Sequence, residues 1–201
     1  MKNTINAYSS HSPIFRKLFE TFDIKTAFEY GIGEHSTPLF LEYCDKVVSV
    51  EMNTHTVDGM PWYDKVVQDM GERENWEHHN MPGKTEAIEY GIKRFQDEKF
   101  DLVFADGHGD TRGEQANTGF GIAKFVVAHD AQHQHTRNAW NIGDYHQIDF
   151  SNYCMSHRND EGIWPITTVF CKSFEDFKVV VSWVKQEKEI CSEYIEKEGE
   201  K

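Results

Sequence analysis

Apolar residues recur along this chain in two periods, and the alternation between them sets out the fold. Short apolar runs bounded by turn residues predict buried strands at Thr26 to Tyr30, Lys46 to Glu51, Phe100 to Asp106, Phe125 to Asp130, Tyr145 to Phe150 and Ile166 to Cys171. A more polar strand is predicted from Glu74 to Asn80. Between them the spacing turns helical. Ser12-Pro13 starts a helix whose apolar stripe is Ile14, Phe15, Leu18, Phe19 and Phe22. Further helices are predicted from Thr37 to Cys44, from Pro61 to about Met70 and from Lys84 to Phe95, the last containing Gly91, a weak helix former. Ser173 and Asp176 form a capping pair for one last helix reaching past Glu193, with Phe174, Phe177, Val181, Val184, Cys191 and Ile195 as its apolar stripe. Residues 1–11 read as a flexible lead-in, and Gly107, Gly109 and Gly113 as a flexible loop.

Strands that alternate with helices build a mainly parallel sheet with helices on both faces. The connection between the last two strands lacks helix formers, so the closing strand is expected antiparallel beside its predecessor. No repeat or linker divides residues 1–201, which read as a single α/β domain with a seven-stranded sheet and a C-terminal helix and tail from 173.

Composition narrows the partners. Thirty-four acidic against 21 basic residues give a formal charge of −13, a field that repels phosphate backbones, so nucleic acid is a disfavoured partner. Cys44, Cys154, Cys171 and Cys191 are scattered without a CxxC pair, the pattern of reduced thiols in a cytosol-like compartment. No signal-peptide pattern and no membrane-spanning apolar run occurs, so a soluble cytoplasmic protein is expected.

The chemistry concentrates at Glu29-Tyr30-Gly31-Ile32-Gly33-Glu34-His35-Ser36-Thr37, which lies between a strand and a helix. Gly31 and Gly33 let the backbone approach a ligand closely, and Ser36 and Thr37 place hydroxyls at the helix start. Glu51 ends the next strand, 20 residues after Gly31, a spacing suited to accepting hydrogen bonds from ribose hydroxyls. Asp106 and the His129-Asp130 pair end two further strands, and ligands of open α/β sheets bind outside those ends. His108, in the glycine-flanked loop after Asp106, is the candidate general base. His129, His133 and His135 could be read as a zinc cluster, but intervening glutamines favour a solvated polar loop. Around this edge, Arg137, Trp140, Tyr153, His157, Arg158 and Trp164 are candidates for selecting a substrate, whereas Trp62 and Trp76 read as packing.

Taken together, Glu29-x-Gly31-x-Gly33, Glu51, Asp106 and the late strand pair resemble the class I S-adenosylmethionine-dependent methyltransferases, in particular a subset with Ser-Thr in place of a third glycine. The resemblance covers roughly residues 12 to 172, with His35 a departure where many members carry a small residue. It implies a Rossmann-like fold whose last strand is antiparallel. It implies that Glu29, Gly31 and Gly33 serve the methionine moiety and Glu51 the ribose. Met52, Asn80 and Met81 would then lie against the adenine, and Asp106 beside the cofactor.

By likeness to metal-dependent O-methyltransferases, Asp106, His129 and Asp130 are candidate ligands for Mg2+ or another divalent cation. The activity implied is methyl transfer to a hydroxyl or an amine of a small-molecule acceptor, with Asp106 and His108 as catalytic residues. Two alternatives stand beside it: a methyltransferase-like binding module without activity, and cleavage or aminocarboxypropyl transfer from the same cofactor. A nicotinamide enzyme is disfavoured by the missing third glycine. The last helix offers a face for docking a second subunit.

Overall fold

A computed structural model describes residues 9–52, 56–151 and 165–199. Seven strands form one sheet: β1 (Thr26–Tyr30), β2 (Lys46–Met52), β3 (Trp76–Met81), β4 (Leu102–Ala105), β5 (Phe125–Ala128), β6 (His146–Phe150) and β7 (Thr167–Cys171). Their order is β3-β2-β1-β4-β5-β7-β6. The first five are parallel neighbours, and β7 runs antiparallel to both β5 and β6. The central strands β1, β2, β4 and β5 are buried almost throughout. That explains why their sequences are near-continuous apolar runs, broken inside β1 and β2 by Glu29, Ser49 and Glu51, rather than alternations.

Helices cover both faces: α1 (Ser12–Thr21), α2 (Ser36–Tyr43), α3 (Trp62–Met70), α4 (Lys84–Asp97), α5 (Arg112–Gly119), α6 (Gln134–Ala139), α7 (Phe174–Ser182) and α8 (Glu187–Gly199). Two apolar clusters result, one on each side of the sheet. Phe15, Phe40 and Phe104 interlock edge to face in the first, and Phe28 meets Tyr30, Phe95 and Phe100 in the second. A two-residue ribbon, Thr56–Val57 with Met60–Pro61, precedes α3.

Gly91 does not break α4. A Cβ there would lie 1.8 Å from the Tyr30 hydroxyl, so the glycine admits that tyrosine against the helix. The Tyr30 hydroxyl continues to Thr118 on α5 at 2.9 Å.

Four expectations are corrected. The stretch after Gly107 is not a flexible loop throughout: a single 3-10 turn, Gly109–Thr111, leads directly into α5. The polar stretch around His133 and His135 contains α6, whose small residues pack on α5. The last helix is two helices, separated by a 3-10 turn at Trp183–Gln186. That turn shifts the phase of the apolar stripe, so Val180, Trp183, Ile190 and Cys191 are buried while Phe174 and Val181 are exposed. Cys44 and Cys171 are free and buried, but Cys191 is disulfide-bonded, a pairing that leaves no local spacing signal. Ser173 caps α7 as expected, accepting from the Asp176 N–H at 3.3 Å. None of the described helices is long and apolar enough to cross a membrane.

Candidate functional site

The carboxyl ends of β1, β2, β4 and β5 lie side by side, and the sequence-predicted residues gather there. The chain leaves β1 through Gly31, whose φ of 92° is a left-handed value that a side chain would strain. Its own packing also requires glycine, because a Cβ would sit 2.5 Å from the Asp106 carbonyl oxygen. The two strand-end turns therefore touch at this point. Gly31 N–H donates to Val50 and Asp106 N–H to Tyr30, at 2.9 and 3.0 Å, which ties the turns to the sheet.

Glu29 points into the interior and is 0% exposed. Three hydroxyls donate to it: Ser36 at 2.5 Å, Thr37 at 2.8 Å and Ser49 at 2.8 Å. Thr37 also accepts from Gly33 N–H at 3.0 Å. Burial raises the Glu29 carboxyl to about 7 against the lowering effect of these donors. The expectation for Glu29, Ser36 and Thr37 is thus corrected in its detail. A buried carboxylate requires donors, so the hydroxyls turn inward to it rather than outward to a ligand, and together they brace the glycine loop from beneath.

Glu51 stands at the end of β2 opposite Asn80, and Met52 stands opposite Met81. Its carboxylate accepts from Ile32 N–H at 3.0 Å and from Met52 N–H at 2.7 Å, one on each oxygen. Each carboxylate oxygen has a second acceptor site. Burial raises the Glu51 carboxyl to about 7 as well. Met52 is buried, Met81 is half-buried, and Asn80 is exposed at the sheet edge. Trp62 holds the same loop, its indole N–H donating to the Ile32 carbonyl at 2.8 Å. Trp76 donates to Ser49 at 3.1 Å and completes the support of Glu29.

At β4 and β5 the arrangement differs from a carboxylate pair awaiting a cation. Arg112, in the first turn of α5, places its guanidinium against Asp106 at 3.0 Å and Asp130 at 2.5 Å, and donates to the Gly107 carbonyl at 3.1 Å. This fixed cation occupies the space between the two carboxylates, which corrects the grouping of Asp106 and Asp130 around Mg2+. Asp130 takes a left-handed φ of 52°, a conformation aspartate tolerates, which brings its carboxylate to Arg112.

His129 is buried and bridges Asp106 at 3.1 Å to the Ser10 hydroxyl at 2.7 Å. Burial alone would lower its pKa, but the adjacent Asp106 carboxylate outweighs this and raises it. His108 is half-exposed in the turn after β4, its Nδ1 accepting from Asp110 N–H at 3.4 Å. Asp106 is engaged by a guanidinium and an imidazole, whereas the His108 ring stands half-exposed at the strand end.

Sequence reasoning missed Arg112, Ser10 and His11. Arg112 had one faint signal, being the single arginine between the two strand-end acids. Ser10 and His11 had none. They belong to the stretch read as a flexible lead-in, yet residues 9–11 are buried. The His11 ring packs on Phe15, Phe104 and His129. Arg137 pairs with Asp149 at 3.0 Å and Trp140 packs on Phe170, so both serve the packing around α6. Tyr153, His157, Arg158 and Trp164 lie outside the described residues.

No model of a known protein family matches the chain, and no curated protein does either. Solved structures do. The methyltransferase domain of the bacterial CtHen1-C superposes with a TM-score of 0.51 at 12% identity, covering 83% of this chain and 98% of that one. The N-methyltransferase NodS from Bradyrhizobium japonicum gives 0.51 at 11% identity, over 80% of this chain and 93% of that one. NodS in complex with S-adenosylhomocysteine gives 0.51 at 10% identity, over 80% and 84%. At such identities the likeness speaks for architecture, and with the strand order it identifies the chain as having the Rossmann-like fold of class I methyltransferases.

Proposed function

We propose that the protein is an S-adenosylmethionine-dependent methyltransferase acting on a hydroxyl or amine of a small molecule. The observation that carries this reading is Glu51. It stands at the carboxyl end of β2, fixed by two backbone N–H groups beside the Gly31 turn, with acceptor capacity left for a ribose diol. NodS, a structural neighbour of matching strand architecture, holds S-adenosylhomocysteine. The residues fit the cofactor in their donor and acceptor chemistry: a carboxylate for hydroxyl donors, a glycine turn for close approach, and apolar Met52 and Met81 beside polar Asn80 for a purine.

The sulfonium supplies a leaving group that needs no further activation. This chain's part is therefore alignment and proton removal. Glu51, Gly31 and Gly33 hold and orient the cofactor, with Glu29, Ser36, Thr37 and Trp62 fixing the loop that carries them. His108 takes the acceptor's proton, and Arg112 holds the Asp106 and Asp130 carboxylates in place at the mouth. Arg112, not a divalent cation, fills the position between the two carboxylates.

Calorimetric titration of the folded protein with S-adenosylhomocysteine tests the reading. Micromolar binding is expected, weakened at least roughly tenfold in Glu51→Ala. Ribose hydroxyls donate to the ionised carboxylate, so affinity should rise as pH passes upward through about 7 and then level off. That rise should vanish in Glu51→Gln. An unchanged affinity in Glu51→Ala would remove the ribose assignment. By-product analysis then separates the activities: S-adenosylhomocysteine marks methyl transfer, whereas methylthioadenosine marks cleavage or aminocarboxypropyl transfer. Binding with neither product marks a binding module.

A further inference from the structure

Beneath the proposed cofactor edge lies a buried histidine with no part in cofactor binding or proton removal. His11 is 2% exposed, and neither of its ring nitrogens has a hydrogen-bond partner among the described residues. An imidazole can be buried among phenylalanines for packing alone, but phenylalanine would serve that role without the penalty of two desolvated polar atoms. The ring instead lies 4.7 Å, centroid to centroid, from His129, which contacts Asp106. One donor atom from each of His11, Asp106 and His129 falls within 4.8 Å of the other two. Nearby, two carboxylates, Asp106 and Asp130, face the single guanidinium of Arg112, leaving one unit of negative charge for a further cation.

We propose that His11, Asp106 and His129 form a binding site for a borderline transition-metal ion of the Zn2+ or Co2+ class, which fastens the N-terminal segment to the ends of β4 and β5. Two imidazoles and one carboxylate suit such ions and do not suit Mg2+ or Ca2+, which take oxygen ligands. The set differs from a strand-end oxygen site in the ligand supplied by the N-terminal segment and in leaving out Asp130, which is not among the side chains whose donor atoms lie together. Ser10 keeps its own bond to His129, so the segment that delivers His11 is already seated by a neighbouring contact. The ion takes the place of the proton shared between His129 and Asp106, and it gives His11 the partner that the buried ring lacks. Its role is structural closure of the edge on which the proposed cofactor loop rests. Binding requires no S-adenosylmethionine, so this inference stands or falls apart from the methyltransferase reading.

The test uses the tag-free full chain, stripped with chelator and free of cofactor. Titration with Co2+ should show one equivalent bound, with visible d–d bands and paramagnetically shifted ring N–H signals from two histidines. Zn2+ should displace it and raise the thermal midpoint, while excess Mg2+ should not compete. His11→Phe keeps the ring packing on Phe15 and Phe104 and should weaken binding at least tenfold. A His133→Ala/His135→Ala chain should bind as the parent does. Absence of Co2+ and Zn2+ binding by the folded parent would overturn the proposal, as would equal competition by Mg2+ or signals from fewer than two histidines. Undiminished binding by folded His11→Phe would overturn it too. The histidine count on the parent decides the matter even where the variant does not fold.

Discussion

Glu29 shows how one buried side chain can organise a strand-end turn from beneath. Its carboxyl is completely buried, yet three hydroxyls and the α2 start are organised around it. Because burial raises its pKa from 4.5 to about 7, the folded protein holds a proton there that the unfolded chain has already released. Between those two values the native state binds more protons than the unfolded state, so this group's contribution to stability falls as pH rises across about 4.5 to 7 and is constant above. The full swing is on the order of 3 kcal/mol at one pKa unit per 1.36 kcal/mol. Glu51 adds a slope of the same sign, and buried neutral His11, whose pKa is lowered, adds one of opposite sign below its ordinary value. The clean readout is therefore a difference. Parent and Glu29→Gln should diverge in urea-unfolding free energy with pH between pH 5 and 7, the variant gaining on the parent as pH rises. Parallel curves would mean that Glu29 stays ionised in the folded protein.

At the scale of elements, what was legible in the sequence was the sheet, and what was hidden was the helices that carry little apolar signal. Buried parallel strands need apolar side chains on both faces, so β1, β2, β4 and β5 announce themselves as near-continuous runs, and their end residues Glu51, Asp106 and Asp130 could be read with them. The short α5 and α6 are polar, and α5 contains Gly113 and Gly119. Gly113 lets them cross closely, since its Cβ would come 2.5 Å from that of Ala139, and such a contact is invisible in one segment read alone. The His11 contact spans more than a hundred residues to His129 and has no local signature whatever. Gly91 makes the same point within a helix that was recognised. Propensity says that Gly91→Ala should stabilise α4 by about 1 kcal/mol. Packing says the opposite, because the new methyl would meet the Tyr30 hydroxyl and ring carbons at 1.8 to 3.4 Å, with Tyr30 itself buried against Phe28. The overpacking cost of roughly 1–3 kcal/mol should win, so a net loss in chemical denaturation is expected. Tyr30→Phe added to Gly91→Ala should recover part of it by removing the nearest atom. A stabilised Gly91→Ala would show that Tyr30 has somewhere else to go.

Across the whole molecule, two kinds of electrostatics coexist, and salt separates them. The chain carries a formal excess of 13 negative charges, and its surface ion pairs, such as Lys46 with Glu98 and Lys84 with Asp110, are exposed enough to contribute little each. Self-repulsion among exposed carboxylates is screened over about 30 Å at 0.01 M salt but only about 10 Å at 0.1 M. The thermal midpoint should therefore climb as salt is added over that range. Arg112 belongs to the other kind. Its side chain is 15% exposed and it is gripped by Asp106 and Asp130 at the centre of the proposed site. Replacing it with Met retains a long apolar stem but leaves two partly buried carboxylates facing each other. The expected loss is roughly 3–5 kcal/mol, the range for breaking a buried charged network. Screening acts poorly on charges that solvent barely reaches, so added salt should lift parent and Arg112→Met in parallel and leave the gap between them open. A gap that closes by 0.3 M salt would mean that the carboxylates turn out to solvent once the guanidinium is gone. Arg112 would then be one more surface charge rather than the cation around which the ends of β4 and β5 are assembled.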